Sequence, residues 1–129
     1  MLDKPSTTLR EYRNKYQNLI TGVSTFEDTA SALGDPISRE SFSKYRYSGD
    51  IEIVFKNKVI MTVIIKDSNY TDVNGISIGA DKGDIDSLEG IEKRQFKTST
   101  MNLTNGSIYW YDAENKVNRI VLIADTKFK

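Results

Sequence analysis

The feature that most constrains this chain is that much of it is written twice. Gly22-Val23-Ser24-Thr25-Phe26-Glu27-Asp28-Thr29-Ala30-Ser31-Ala32-Leu33-Gly34 is answered by Gly79-Ala80-Asp81-Lys82-Gly83-Asp84-Ile85-Asp86-Ser87-Leu88-Glu89-Gly90. Each stretch reads as a short capped helix ending in glycine. Ile53-Val54-Phe55-Lys56-Asn57-Lys58-Val59 is answered by Tyr109-Trp110-Tyr111-Asp112-Ala113-Glu114-Asn115-Lys116-Val117. The period is roughly 57 residues, and self-similarity at a fixed period sets the architecture before local propensity does. Two copies fill the chain from about Leu19 to its end.

Local signals give each copy its elements. Thr8-Leu9-Arg10-Glu11 fits a capping box, and Leu9, Tyr12, Tyr16, Leu19 and Ile20 follow at helical spacing, which predicts a first helix over residues 9–20. Ser24-Thr25-Phe26-Glu27 fits a second capping box. Its helix carries Phe26, Ala30 and Leu33 on one face and stops at Gly34 before Pro36. The period then changes to two. Tyr45 and Tyr47 lead to a turn at Ser48-Gly49-Asp50, Ile51, Ile53 and Phe55 alternate after it, and Lys56-Asn57-Lys58 turns the chain into Val59, Met61, Val63 and Ile65. A polar linker follows from Asp67 to Asp72. In the second half, Asn74-Gly75 turns into Ile76 and Ile78, Asp81 caps a helix with Asp84 three residues on, Phe96, Thr98 and Thr100 alternate, and Asn105-Gly106 is a hairpin turn between strands. The last two strands are Ile108–Tyr111 and Val117–Ile123.

The sum predicts an α+β fold: two tandem helix-plus-antiparallel-meander units, helices packed on one face of the sheet, and an extra N-terminal helix. Residues 1–8 read as a polar stalk, 9–73 as the first unit and 74–129 as the second, together one compact domain.

Composition excludes much chemistry. The 129 residues include 18 basic and 18 acidic side chains, so no basic excess points to nucleic acid. Without cysteine there is no disulfide, thiolate nucleophile or Cys-ligated zinc. Without histidine the commonest general base and metal ligand are missing. The acidic run Asp81 to Glu89 does not match the spacing of a calcium loop and reads as a helix start. Neither a phosphate loop nor a nucleophile elbow occurs. The sequence therefore implies no metal, no cofactor and no catalytic residue. No stretch reaches the roughly 20 apolar residues of a membrane helix. The start, Met1 to Thr8, reads equally as a native start or as the stalk left after an export signal.

The pattern of Gly22, Ser24, Leu33, Gly34, Asp35, Pro36, Tyr47, Phe55, Asn57, Lys58 and Val59, echoed by Gly79, Asp81, Leu88, Gly90, Asn115, Lys116 and Val117, resembles the SmpA/OmlA-type outer-membrane assembly lipoproteins and the tandem-repeat β-lactamase inhibitor protein. The resemblance implies an exported, non-enzymatic binding module. This chain departs from the pattern by lacking a Pro in its second copy, the inhibitor's disulfides and a lipobox cysteine.

Candidate contact residues follow from the strands and turns. Tyr109, Trp110 and Tyr111 form the densest aromatic cluster, with Tyr109 and Tyr111 on one strand face and Trp110 on the other. Tyr47 stands beside the turn that presents Gly49 and Asp50. The resemblance implies that the loops Ser48–Asp50 and Thr104–Ser107 both project into a partner. Ordinary strand packing and ordinary turn chemistry account for the same residues without a partner. The expectation is an extracytoplasmic module that binds a protein partner of unknown identity. The alternatives are a cytoplasmic immunity or antitoxin-like protein that blocks a toxin enzyme, and a small carboxylate-based enzyme.

Overall fold

Turn chemistry sets the strand order. Gly49 (φ 89°) and Asp50 (φ 60°) reverse the chain between β4 (Lys44–Tyr47) and β5 (Ile51–Lys56). Asn57 (φ 55°) and Lys58 (φ 71°) form a two-residue loop, both left-handed, between β5 and β6 (Val59–Ile65). Two successive positive φ values match the right-handed twist of the flanking strands. The computed structural model describes residues 15–17, 19–104 and 106–124. Its further elements are a small hairpin, β1 (Lys15–Tyr16) and β2 (Leu19–Ile20), helix α1 (Phe26–Leu33), edge strand β3 (Ser38–Arg39), helix α2 (Lys82–Asp86), and strands β7 (Lys93–Gln95), β8 (Ser99–Asn102), β9 (Ser107–Tyr111) and β10 (Val117–Ile123).

Apart from the hairpin, the strands form one eight-stranded sheet in the order β3-β4-β5-β6-β10-β9-β8-β7, with every neighbouring pair antiparallel. Each half of the chain supplies four consecutive strands, and β6 meets β10 at the middle through Ile65↔Ile120 and Leu122↔Val63. One sheet face is the core, built from Tyr47, Ile51, Ile53, Ile60, Val63, Ile65, Tyr109, Ile120 and Leu122. Across it lie Tyr16 and Leu19 of the hairpin, Ile76 just after the linker and Ile85 of α2, all buried. Phe26 of α1 closes one end, packing edge-on against Tyr45 and Phe55 at 5.2 Å from each.

This architecture corrects the expected fold class. The expectation was two helix-plus-meander units with an extra N-terminal helix. Among the described residues the fold is one continuous eight-stranded sheet with two short helices and the small hairpin. Of the expected helix over 9–20, residues 9–14 lie outside the described residues, as does the expected stalk. Lys15–Tyr16 and Leu19–Ile20 pair as the hairpin β1–β2 instead, with Tyr16 opposite Leu19. The physical reason is that residues three apart share a helix face and also face each other across a two-residue hairpin loop, so the apolar spacing fits both. Two strands escaped the period-two reading, β3 and β7, because they are short and sit at the sheet edges. The α1 cap is one residue later than the pattern suggested. The Thr25 hydroxyl accepts from Asp28 N–H at 3.1 Å, and the Asp28 carboxylate accepts from Thr25 N–H at 3.0 Å. In β6 the alternation slips at a register shift opposite Val54/Phe55, so Ile60, not Met61, enters the core.

The same clasp occurs in both halves. Gly22 N–H donates to Ile60 carbonyl at 2.6 Å and Gly79 N–H to Val117 carbonyl at 2.7 Å. Thr25 bridges Val59, and Asp81 bridges Lys116. Each clasp fixes the entry to a helix against the start of the last strand of its half. Among the described residues, no helix is long and apolar enough to cross a membrane.

Candidate functional site

An antiparallel sheet covered on one side normally alternates apolar and polar residues, as β4 does with Lys44-Tyr45-Arg46-Tyr47. The three adjacent strands β6, β10 and β9 do not. Val59-Ile60-Met61-Thr62-Val63-Ile64-Ile65, Ile120-Val121-Leu122-Ile123 and Ile108-Tyr109-Trp110-Tyr111 are apolar on both faces. Their inward members make the core. Their outward members line up in register: Ile64 pairs with Val121, Val121 with Ile108, and Ile108 with Met101 of β8. Trp110 stands one row away beside Arg119, whose guanidinium lies 4.8 Å from the indole centroid. Ile64, Ile108, Met101 and Trp110 are half-buried, and Val121 at their centre is 9% exposed. A contiguous apolar patch of this kind marks a contact surface more often than a casual exposure. The helices, the β1–β2 hairpin and the linker all pack on the opposite face.

Charge on this outer face is uneven. Toward β3–β5, Lys44 pairs with Glu52 at 3.3 Å, and Arg46 with Glu40 at 3.7 Å. Toward β7–β10, Arg94 pairs in register with Met101, and neither Arg94 nor Arg119 meets a carboxylate among the described residues. The Arg119 Nε donor is buried without a hydrogen-bond partner among the described residues.

A second, smaller surface lies at the β3–β4 edge. Arg39 donates through Nε to Ser41 carbonyl at 3.2 Å and through a terminal nitrogen to Phe42 carbonyl at 2.7 Å. Its guanidinium also lies 5.4 Å from the Phe42 ring and 5.5 Å from the Tyr45 ring. These contacts hold Phe42 in solvent, 88% exposed. Beside it is an open cavity of about 420 Å³ lined by Phe26, Glu27, Phe42, Ser43, Tyr45, Phe55 and Lys58. The Phe26, Tyr45 and Phe55 rings pack on one another at 5.2–5.8 Å, so much of their surface is already satisfied.

A buried polar latch lies on the core face. The Asp72 carboxylate accepts from Tyr109 hydroxyl, from Asn74 N–H at 2.9 Å and from Ile76 N–H at 2.9 Å. Burial, then the Asp72 charge, pushes the Tyr109 phenol above its usual range. A carboxylate tied by three donors and closed in by the linker anchors that linker on the sheet; it is not exposed to a substrate. Tyr111 hydroxyl meets Thr100 Oγ1 at 2.7 Å, and burial raises its pKa as well. Burial pushes Tyr47 up to about 12.

The structure separates the six residues singled out from sequence. Tyr47, Tyr109 and Tyr111 are 1%, 0% and 7% exposed, so their rings are core and present no side-chain surface. Gly49 and Asp50 are exposed at a hairpin tip, where the Asp50 carbonyl accepts from Lys66 N–H at 3.0 Å. Trp110 alone lies on the outer face. The two loops expected to act together project from opposite ends of the sheet. Ile51, next to the first loop, pairs with the end of β6 at Ile65, whereas Ser107, next to the second, pairs with Leu122 and through it with Val63 toward the start of β6. Sequence reading missed Ile64, Ile108, Met101, Arg119 and Phe42. The unbroken apolar runs of β6, β9 and β10 carry the signal for the face; nothing local announces Phe42. Among the described residues, no group of three or more acidic side chains could hold a metal ion.

No protein-family model, no curated protein and no solved structure matches this chain. The likeness to assembly lipoproteins and to the tandem-repeat inhibitor rests on the sequence pattern alone.

Proposed function

We propose that this chain is a non-enzymatic binding module that meets a protein partner on its outer sheet face, with Trp110 and Ile108 as apolar anchors around Val121. One observation carries the reading: three adjacent strands are apolar on both faces, and among the described residues the core uses only one of them. Its chemistry is burial of apolar area rimmed by arginine, the composition of interface hot spots. The lack of histidine and cysteine, and the engagement of Asp72 in a structural latch, support a module that makes and breaks no bond. An extracytoplasmic setting belongs to the same proposal and draws on the sequence pattern.

The test is capture of partners from extracts of the source cells by wild type, Ile108→Lys and the hairpin control Glu114→Lys, each shown folded by circular dichroism. The expected result is a partner kept by wild type and by the control and lost by Ile108→Lys. A folded Ile108→Lys variant that keeps the partner undiminished rejects the face.

A further inference from the structure

We infer that the occupant of the outer face is an amphipathic helix of the partner, acidic along the rim that lies over β7–β10. The inference rests on the proposed contact face and adds the shape and charge of what it binds.

Shape follows from hydrogen bonding. Strands β6, β10, β9 and β8 each have a neighbour on both sides, so their backbone donors and acceptors are already paired. An extended segment laid on this face would find no ladder to join and would have to go to an edge, at β3 or β7. A helix satisfies its own backbone and needs only an apolar stripe. The outward side chains of four adjacent strands at about 4.8 Å spacing span about 15 Å, wide enough for a helix of about 10 Å. Helix-on-sheet packing is also a standard way to cover an apolar sheet face.

Charge follows from the uneven rim. Glu52 and Glu40 already answer Lys44 and Arg46 on the β3–β5 side. Arg94 and Arg119 face outward on the other side without a carboxylate among the described residues, and the Arg119 guanidinium sits over the Trp110 ring. Glutamate or aspartate on the partner helix would pair with both. An anionic lipid surface offers related chemistry, but the polybasic sites that hold proteins on such lipids use about four to eight cations. Two arginines favour the helix.

Trp110 is the only tryptophan in the chain, so its fluorescence reports on this face alone. The probes are two synthetic peptides of about 18 residues, five helical turns, with identical leucine faces and either glutamate or lysine flanks. Vesicles of phosphatidylglycerol and phosphatidylcholine form the third arm. The glutamate peptide is expected to shift Trp110 emission and to bind roughly tenfold tighter than the lysine peptide at low salt, an advantage that shrinks as salt screens it. Arg94→Glu is expected to narrow or reverse that preference. Equal binding of both peptides overturns the acidic rim and leaves the contact face standing. A Trp110 response to vesicles without a response to either peptide overturns the helix in favour of lipid. No response to any probe overturns the helical occupant, while the face itself is decided by the Ile108→Lys capture.

Discussion

Removing the Asp72 carboxylate should be among the most destabilising single changes in this protein. Asp72→Ala strips the acceptor from three donors: Tyr109 hydroxyl, Asn74 N–H and Ile76 N–H. Asn74 is half-buried, and its amide can turn to water. Ile76 and Tyr109 are 4% and 0% exposed, so their donors cannot. A hydrogen bond to a charged acceptor is worth about 1.5–3 kcal/mol, and two buried donors lose theirs, giving a loss of about 3–6 kcal/mol. That is a large share of a typical domain stability of about 5–15 kcal/mol. Asp72→Asn keeps one oxygen for the two backbone amides and offers an N–H to the tyrosine oxygen, so its loss should be about 1–2 kcal/mol. Tyr109→Phe should cost about 1–3 kcal/mol, and the double change Asp72→Ala with Tyr109→Phe should cost less than the two singles added. Urea unfolding followed by far-ultraviolet circular dichroism measures all four. An Asp72→Ala loss below about 1 kcal/mol, or strict additivity with Tyr109→Phe, refutes the latch.

Three further outcomes follow from particular side chains. Burial raises the pKa of Tyr16, Tyr47, Tyr70, Tyr109 and Tyr111 in the folded state. A phenol raised on folding contributes stability that is full below the unfolded value near 10 and is lost as pH climbs through the folded value, so unfolding should set in between about pH 10 and 12, read by circular dichroism beside phenolate absorbance. Lys93 Nζ donates to the carbonyls of Ile85 at 3.2 Å, Asp86 at 2.7 Å and Leu88 at 3.0 Å, closing the end of α2, so Lys93→Met should cost about 1–2 kcal/mol in the same urea assay. Gly34 ends α1 at φ 85° and ψ −176°, a region nearly reserved for glycine, with open space where an added methyl group would stand, so Gly34→Ala should cost about 1–3 kcal/mol from backbone strain alone.

Local punctuation was readable from the amino acids because it depends on near neighbours. The turns at Gly49-Asp50 and Asn57-Lys58 and the stop at Gly34 each need a positive φ that their residues supply. What was not readable depends on distant partners. The stripe Tyr16, Leu19 and Ile20 satisfies a helix and a hairpin alike, and packing in the core selects the hairpin. Tyr109 and Tyr111 stand out in the sequence as candidate contact aromatics, but each turns inward because a hydroxyl partner, Asp72 or Thr100, waits there. Trp110 faces outward by alternation, and its neighbours on that face come from β6, β8 and β10, which no reading of one strand brings together. Phe42 depends on Arg39 gripping the following loop by its carbonyls.

The surface that a partner covers is the decisive observable. Hydroxyl-radical footprinting of the captured complex reads this directly, because the outer face carries two readily oxidised probes, Met101 and Trp110, while Phe42 stands 88% exposed at the β3–β4 edge. Partner binding is expected to protect Met101 and Trp110 and to leave Phe42 as reactive as in the free chain. Protection of Phe42 with Met101 and Trp110 unchanged would contradict it and move the contact surface to the aromatic edge.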